Sequence, residues 1–200
     1  MRERDKDLIE CSPAFKKLFS DNLRLTKLGP FPLLTAKPEE AMQKVREIIE
    51  DGNDIDIVFF DLPGTVNNRG VVNILNCMDT VIVPVAADKV ILESSLAFAL
   101  KIHEWRTTGR SQVKEMYMLW NLVDAREKTD LYDQYEAVFE DSGLQTLKTR
   151  IPDTKKYRRE GSKTLNRAVF RSTVIPPDKT LLKGTRLPEL TDELLGILKL

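Results

Sequence analysis

Four short polar stretches follow apolar runs, and their residue types suit the handling of a nucleotide. The first is Asp61-Leu62-Pro63-Gly64, after Asp56-Ile57-Val58-Phe59-Phe60. An acid at the carboxyl end of a buried strand can hold the water shell of Mg²⁺ beside a phosphate. Gly64 lets the backbone come close to that phosphate and swing when it leaves. The second is Ala86-Ala87-Asp88, after Thr80-Val81-Ile82-Val83-Pro84-Val85. The third is Asn121-Leu122-Val123-Asp124-Ala125-Arg126, after a run that includes Met116, Met118 and Leu119. An Asn amide both donates to and accepts from a purine edge, and Asp124 is placed to orient it. The fourth is Ile151-Pro152-Asp153-Thr154. In open α/β sheets such ends meet along one edge, where ligands bind. A plainer reading of the first stretch is a buried strand that stops in an Asx-turn at Asp61.

The elements that must position these ends alternate along the chain. Pro13 to Leu28 carries Phe15, Leu18, Phe19, Leu23 and Leu25 at helical spacing, after Ser12 as N-cap. Phe31 to Ala36 is short and apolar and predicts a strand. Pro38 to Glu50 predicts a helix with Ala41, Val45, Ile48 and Ile49 on one face, stopped by Asp51-Gly52-Asn53. Asp56 to Phe60 predicts a strand buried on both faces. A short helix with Val71, Val72, Ile74 and Leu75 leads to the strand Thr80 to Val85. A helix from Lys89 to Trp105, a strand from Glu115 to Val123, a helix from Asp130 to Asp141 and a strand from Leu147 to Ile151 follow. Pro188 to Leu198 predicts a closing amphipathic helix. Such alternation predicts one doubly wound α/β domain over residues 1–200, with a mainly parallel sheet.

Lys and Arg total 31 and are matched by 31 Asp and Glu, so no global charge names a partner. With two cysteines and one histidine, a disulfide framework, a Cys/His zinc site and a His-based triad are not expected. His103 reads as a surface residue on a helix. No run reaches membrane length and no signal peptide is seen, so a cytoplasmic protein without membrane contact is expected. Charge is uneven locally: Lys148 to Arg171 holds nine basic and two acidic residues. Within it Lys155, Lys156, Arg158 and Arg159 are candidates for nonspecific contact with DNA phosphates; a solvated face is the plainer reading.

Taken in order, Asp-Leu-Pro-Gly, Val-Pro-Val-Ala-Ala-Asp, Asn-Leu-Val-Asp-Ala-Arg and Ile-Pro-Asp make most of the chain resemble the ParA/MinD-type P-loop ATPases. Phe59-Phe60-Asp61-Leu62-Pro63-Gly64-Thr65-Val66-Asn67 resembles, more narrowly, the TraA-like ParA proteins of conjugative transposons. The resemblance implies a Walker B acid at Asp61 that holds Mg²⁺ through water. It implies a switch turn at Pro63-Gly64, where Gly64 senses the γ-phosphate, and adenine contacts at Asn121, Pro152 and Asp153. It further implies Mg-ATP as cofactor and, in the intact form, a homodimer that hydrolyses ATP. Nonspecific DNA binding and a partner protein in plasmid partition or conjugative transfer are implied as well.

The chain departs from that pattern in one respect. The family opens with a strand and a Gly-rich loop ending in Gly-Lys-Thr, whose amides and lysine hold the phosphates. Nothing before Asp61 supplies it, and Gly161-Ser162-Lys163-Thr164 lacks the first glycine and the preceding strand. The expectation is a ParA/MinD-like sheet without its first strand and phosphate loop, turning over little ATP. A nucleotide-independent DNA- or partner-binding module and a nonfunctional gene fragment are the alternatives. In the resembled fold the missing strand lies between the strand ending at Asp61 and the strand Val81 to Val85. There the two flanking strands either close up and pair directly or leave a gap, and exposure of Ile57, Phe59, Ile82 or Val83 is expected unless something covers them.

Overall fold

Among the described residues of the computed structural model, α1 (Pro13–Thr26), α2 (Pro38–Glu50) and α3 (Arg69–Asn76) precede the first strand. The structure describes residues 6, 9–10, 13–26, 31–52, 54–64, 66–124, 126, 129–156, 176–177 and 179–200. Then follow β1 (Thr80–Val85), α4 (Lys89–Thr107), β2 (Glu115–Trp120), α5 (Thr129–Asp141), β3 (Gln145–Thr146), α6 (Lys179–Leu182) and α7 (Leu187–Leu198). The strands form one parallel sheet in the order β1-β2-β3, so the chain is α/β. Parallel neighbours cannot be joined by a tight turn, and α4 and α5 supply the two crossovers.

Local chemistry sets these boundaries. Pro38 opens α2 with Glu39 and Glu40 in its first turn, where the helix dipole favours acids. Asn68 caps α3 by accepting from the N–H groups of Gly70 and Val71. Asp88 caps α4 in the same way, accepting from Val90 and Ile91 at 3.0 Å each. The pleat of the two long strands then sorts side chains. Val81, Val83 and Val85 of β1 and Met116, Met118 and Trp120 of β2 are buried in one cluster with Leu92, Ala99 and Ile102 of α4. Tyr132 and Phe139 of α5 complete it, the Trp120 ring lying 4.9 Å from Tyr132 and 5.7 Å from Phe139. The Trp120 indole N–H, which needs a partner when buried, donates to Glu136 at 2.8 Å.

Cα packing divides the chain into two compact units. One comprises Met1–Leu34 and Thr154–Pro188, the other Thr35–Asp153 and Glu189–Leu200. Among its described residues the first unit holds α1 and α6. The Lys156 ammonium closes the end of α6, donating to the carbonyls of Thr180, Leu181 and Lys183 at 3.1, 3.3 and 2.5 Å. A cation at a helix carboxyl end is favourable on both hydrogen-bond and dipole grounds. The second unit holds the sheet. Among the described residues no helix is long and apolar enough to cross a membrane.

Four expectations are corrected. Phe31 to Ala36 is not a strand and its large side chains are exposed; Pro32 lacks the N–H a ladder needs. Asp56 to Phe60 is neither strand nor buried core, with Phe59 75% exposed. Strand propensity is realised only against a paired neighbour, and no described strand pairs with this segment. The strand expected at Leu147 to Ile151 sits instead at Gln145–Thr146. Leu147 and Ile151 still bond to Met118 and Trp120, but the N–H groups of Lys148 and Thr149 leave the ladder for the Glu193 carboxylate, at 2.7 and 2.9 Å. His103 is half-buried rather than on the surface, its Nδ1 enclosed without a partner among the described residues. Its ring lies 3.2 Å from where a Cβ on Gly143 would sit, and Gly143 has φ +73, so this turn needs glycine.

Phe139→Ala is expected to cost about 3–5 kcal/mol, because the emptied ring volume abuts Trp120 on a face that α5 cannot collapse onto. Urea denaturation followed by tryptophan fluorescence measures it.

Candidate functional site

The ladder between β1 and β2 ends on a bond from the Asn121 N–H to the Val85 carbonyl, at 2.7 Å. Leu122 then turns the chain with φ 56, a left-handed conformation unusual for a residue with a Cβ. The turn lets the Asn121 Oδ1 accept from the Leu122 N–H at 2.9 Å. Beyond it the backbone pairs again: Val123 N–H donates to Ile151 and Asp153 N–H donates to Val123, both at 2.9 Å, around a parallel bridge between Val123 and Pro152. Asn121, Asp124, Pro152 and Asp153 are thereby brought together at the carboxyl edge of the sheet. Asp88, at the end of β1, stands one strand along and is committed to capping α4.

With its oxygen held by the turn, Asn121 has an amide Nδ2 with no described partner, a donor for a ring nitrogen or carbonyl. Asp124 does not orient it. The Asp124 carboxylate takes the Arg126 guanidinium instead, with Nε at 2.9 Å, and the Arg126 backbone N–H, also at 2.9 Å. The Arg126 side-chain bonds chiefly, then its backbone N–H, hold Asp124 down at about 2. An ionised carboxylate locked to arginine shapes the loop rather than orienting Asn121. Leu122 is the residue that sequence reasoning missed. Left-handed positions announce themselves through Gly or Asn, and a leucine gives no such signal. Backbone strain of this kind concentrates at ligand sites.

Asp61 and Gly64 are placed elsewhere. They lie on the irregular segment after Phe60, both exposed, and share with β1 a groove of about 1030 Å³. Among the described residues no donor reaches the Asp61 carboxylate, so the Asx-turn is not seen either. A single carboxylate serves Mg²⁺ only with phosphate oxygens fixed beside it. The sequence lacks a Gly-x-x-x-x-Gly-Lys-Ser/Thr loop to fix them, and no cluster of three metal-binding side chains occurs among the described residues. The described residues therefore do not fit a Mg²⁺-phosphate pair at Asp61.

Of the four basic residues considered for DNA, Arg158 and Arg159 lie outside the described residues. Lys155 is exposed, and the Lys156 ammonium is committed to the α6 carbonyls. Both lysines belong to the first unit.

Two outcomes follow from this geometry. A carboxyl-carbon NMR titration is expected to place the Asp124 midpoint at about 2, and Arg126→Ala to return it toward the ordinary value of about 3.9. Because the folded-state value is depressed, the pair's small contribution to stability is complete above the ordinary carboxylate range and is lost as pH falls through the folded value. Leu122→Gly removes the Cβ from a left-handed position and is expected to raise stability by up to about 1 kcal/mol in urea denaturation.

Comparisons of the chain with protein-family models, with curated proteins and with solved structures return no match.

Proposed function

We propose that the chain is a doubly wound nucleotide-binding domain of the ParA/MinD type, whose described carboxyl edge reads the adenine end of a nucleotide. Its setting would be DNA partitioning or the transfer of a conjugative transposon. The observation that supports this most is the meeting of Asn121 with Pro152 and Asp153 across one pair of parallel strand ends, beside the strained Leu122. Ligands of open α/β sheets lie in just such a crevice. An Asn amide with a donor to spare would bond a ring nitrogen of adenine, while the Pro152 ring offers an apolar face to the base. The sequence has no Gly-x-x-x-x-Gly-Lys-Ser/Thr motif that would grip the phosphates.

Binding measured by calorimetry separates this reading from a nucleotide-independent one. Adenosine and ATP are expected to bind with dissociation constants within about threefold of each other, because less than about 1 kcal/mol rests on the phosphates. Asn121→Ala is expected to weaken both by up to about tenfold, the worth of one hydrogen bond. ATP turnover is expected to be negligible, since phosphoryl transfer needs positioning and charge neutralisation together. No binding of adenosine would refute the base site. ATP binding more than about a hundredfold tighter than adenosine, or turnover lost in Asp61→Ala, would show a phosphate site that the sequence does not reveal.

A further inference from the structure

The lateral edge of β1, away from the carboxyl edge that holds Asn121, offers a second site. Along a strand, the N–H and C=O of one residue point to one side and those of the next to the other. Asp79 and Val85 present their carbonyls to Glu115 and Asn121 of the β2 side, at 3.1 and 2.7 Å. Residues 79, 81, 83 and 85 are therefore turned toward β2. Thr80, Ile82 and Pro84 are turned away, where no described strand pairs with them. Pro84 has no N–H, and its carbonyl accepts from Ser95 Oγ at 3.3 Å. The N–H and C=O groups of Thr80 and Ile82 have no described partner on that side.

These groups face the groove that β1 shares with residues 56–64, and of β2 only Glu115 lines it. Its apolar walls include Ile57, Phe60, Val81, Phe98, Leu194 and Ile197. Phe59, which also lines it, is largely bare. The charged lining is unbalanced. Asp56, Asp61, Asp79 and Glu115 meet only Lys114 and Lys199, and Lys114 is already bonded to Asp79 at 2.6 Å. An unpaired strand edge is a template for another strand, and edge addition draws affinity from main-chain bonds and specificity from side-chain pockets. We propose that this groove binds an extended apolar peptide segment of another protein, flanked by basic residues, which adds to β1 as a further strand. The peptide backbone would satisfy Thr80 and Ile82, its apolar side chains would cover the groove walls, and its basic flanks would meet Asp56, Asp61 and Glu115.

The test uses the whole chain and an end-blocked, fluorescein-tagged peptide, Lys-Val-Thr-Val-Thr-Val-Lys, with a second peptide carrying Glu at both ends. Saturable anisotropy change with the Lys-flanked peptide is expected, with at least about fivefold weaker binding of the Glu-flanked one. Hydrogen exchange at the Thr80 and Ile82 amides should slow on saturation. Ile82→Pro deletes one donor turned to the groove and leaves the rungs to β2 in place; it should weaken binding about tenfold. Should that variant lose its fold, Asp56→Lys with Asp61→Lys serves instead and should reverse the preference between the two peptides. Equal binding of both peptides, absence of binding at millimolar peptide, or unchanged exchange at Ile82 overturns the proposal. So does sedimentation showing a dimer of the free chain that Ile82→Pro dissolves, which would assign the edge to a second copy.

Discussion

The parallel ladder between β1 and β2 carries the rest of the structure. Its register, from Thr80 opposite Glu115 to Val85 opposite Trp120, decides which side chains enter the core. A slip of β1 by one residue would turn Val81, Val83 and Val85 out of the cluster and bring Ile82 in. The same register fixes the last rung, from Asn121 to Val85, and so fixes where the loop at the carboxyl edge begins. It also decides which backbone groups of β1 are left over. One hydrogen-bond pattern thus sets the core, the carboxyl edge and the open lateral edge.

The far side of the sheet is held differently. β3 pairs over only two residues, and the chain returns to the ladder at Ile151 after leaving it at Lys148. Side chains keep the intervening backbone in place. Glu193 of α7 receives the N–H groups of Lys148 and Thr149; partial burial pushes its carboxyl up, but those bonds outweigh it and hold it below the usual range. Arg150 lies 5.3 Å from the Tyr132 ring and bonds Asp133 and Glu136 at 3.1 and 3.0 Å. Glu136 in turn receives the Trp120 indole N–H, so the core and the loop share a carboxylate. Charge-assisted bonds of this kind are stronger than neutral ones, and here they deliver Pro152 and Asp153 to the edge that the β1–β2 ladder begins.

What could be read from residues alone follows the range of the forces involved. Helix α2 was legible to its end residues, because Pro38, the two glutamates and Gly52 act within one turn. Asn121, Pro152 and Asp153 were legible as neighbours, because parallel strands bring their ends to one edge whatever their side chains. The segment before Asp61 misled, since an apolar run of strand-forming residues says nothing about whether a partner strand is beside it. Of the four residues flanking the expected gap, Phe59 is bare and Val83 is buried, while Ile57 and Ile82 are half-covered. Leu122 and Lys156 were not legible at all: one is turned by its neighbours' pairing, the other is held by carbonyls 24 to 27 residues away.

Amide hydrogen exchange of the free chain, resolved residue by residue along β1, tests this account most directly. Val81, Val83 and Val85, whose N–H groups face β2, are expected to be protected together with Asn121, while Thr80 and Ile82 exchange as solvent-exposed amides do. Protection of Ile82 equal to that of Val83 would contradict it, because β1 would then be paired on both sides and the groove beside it closed.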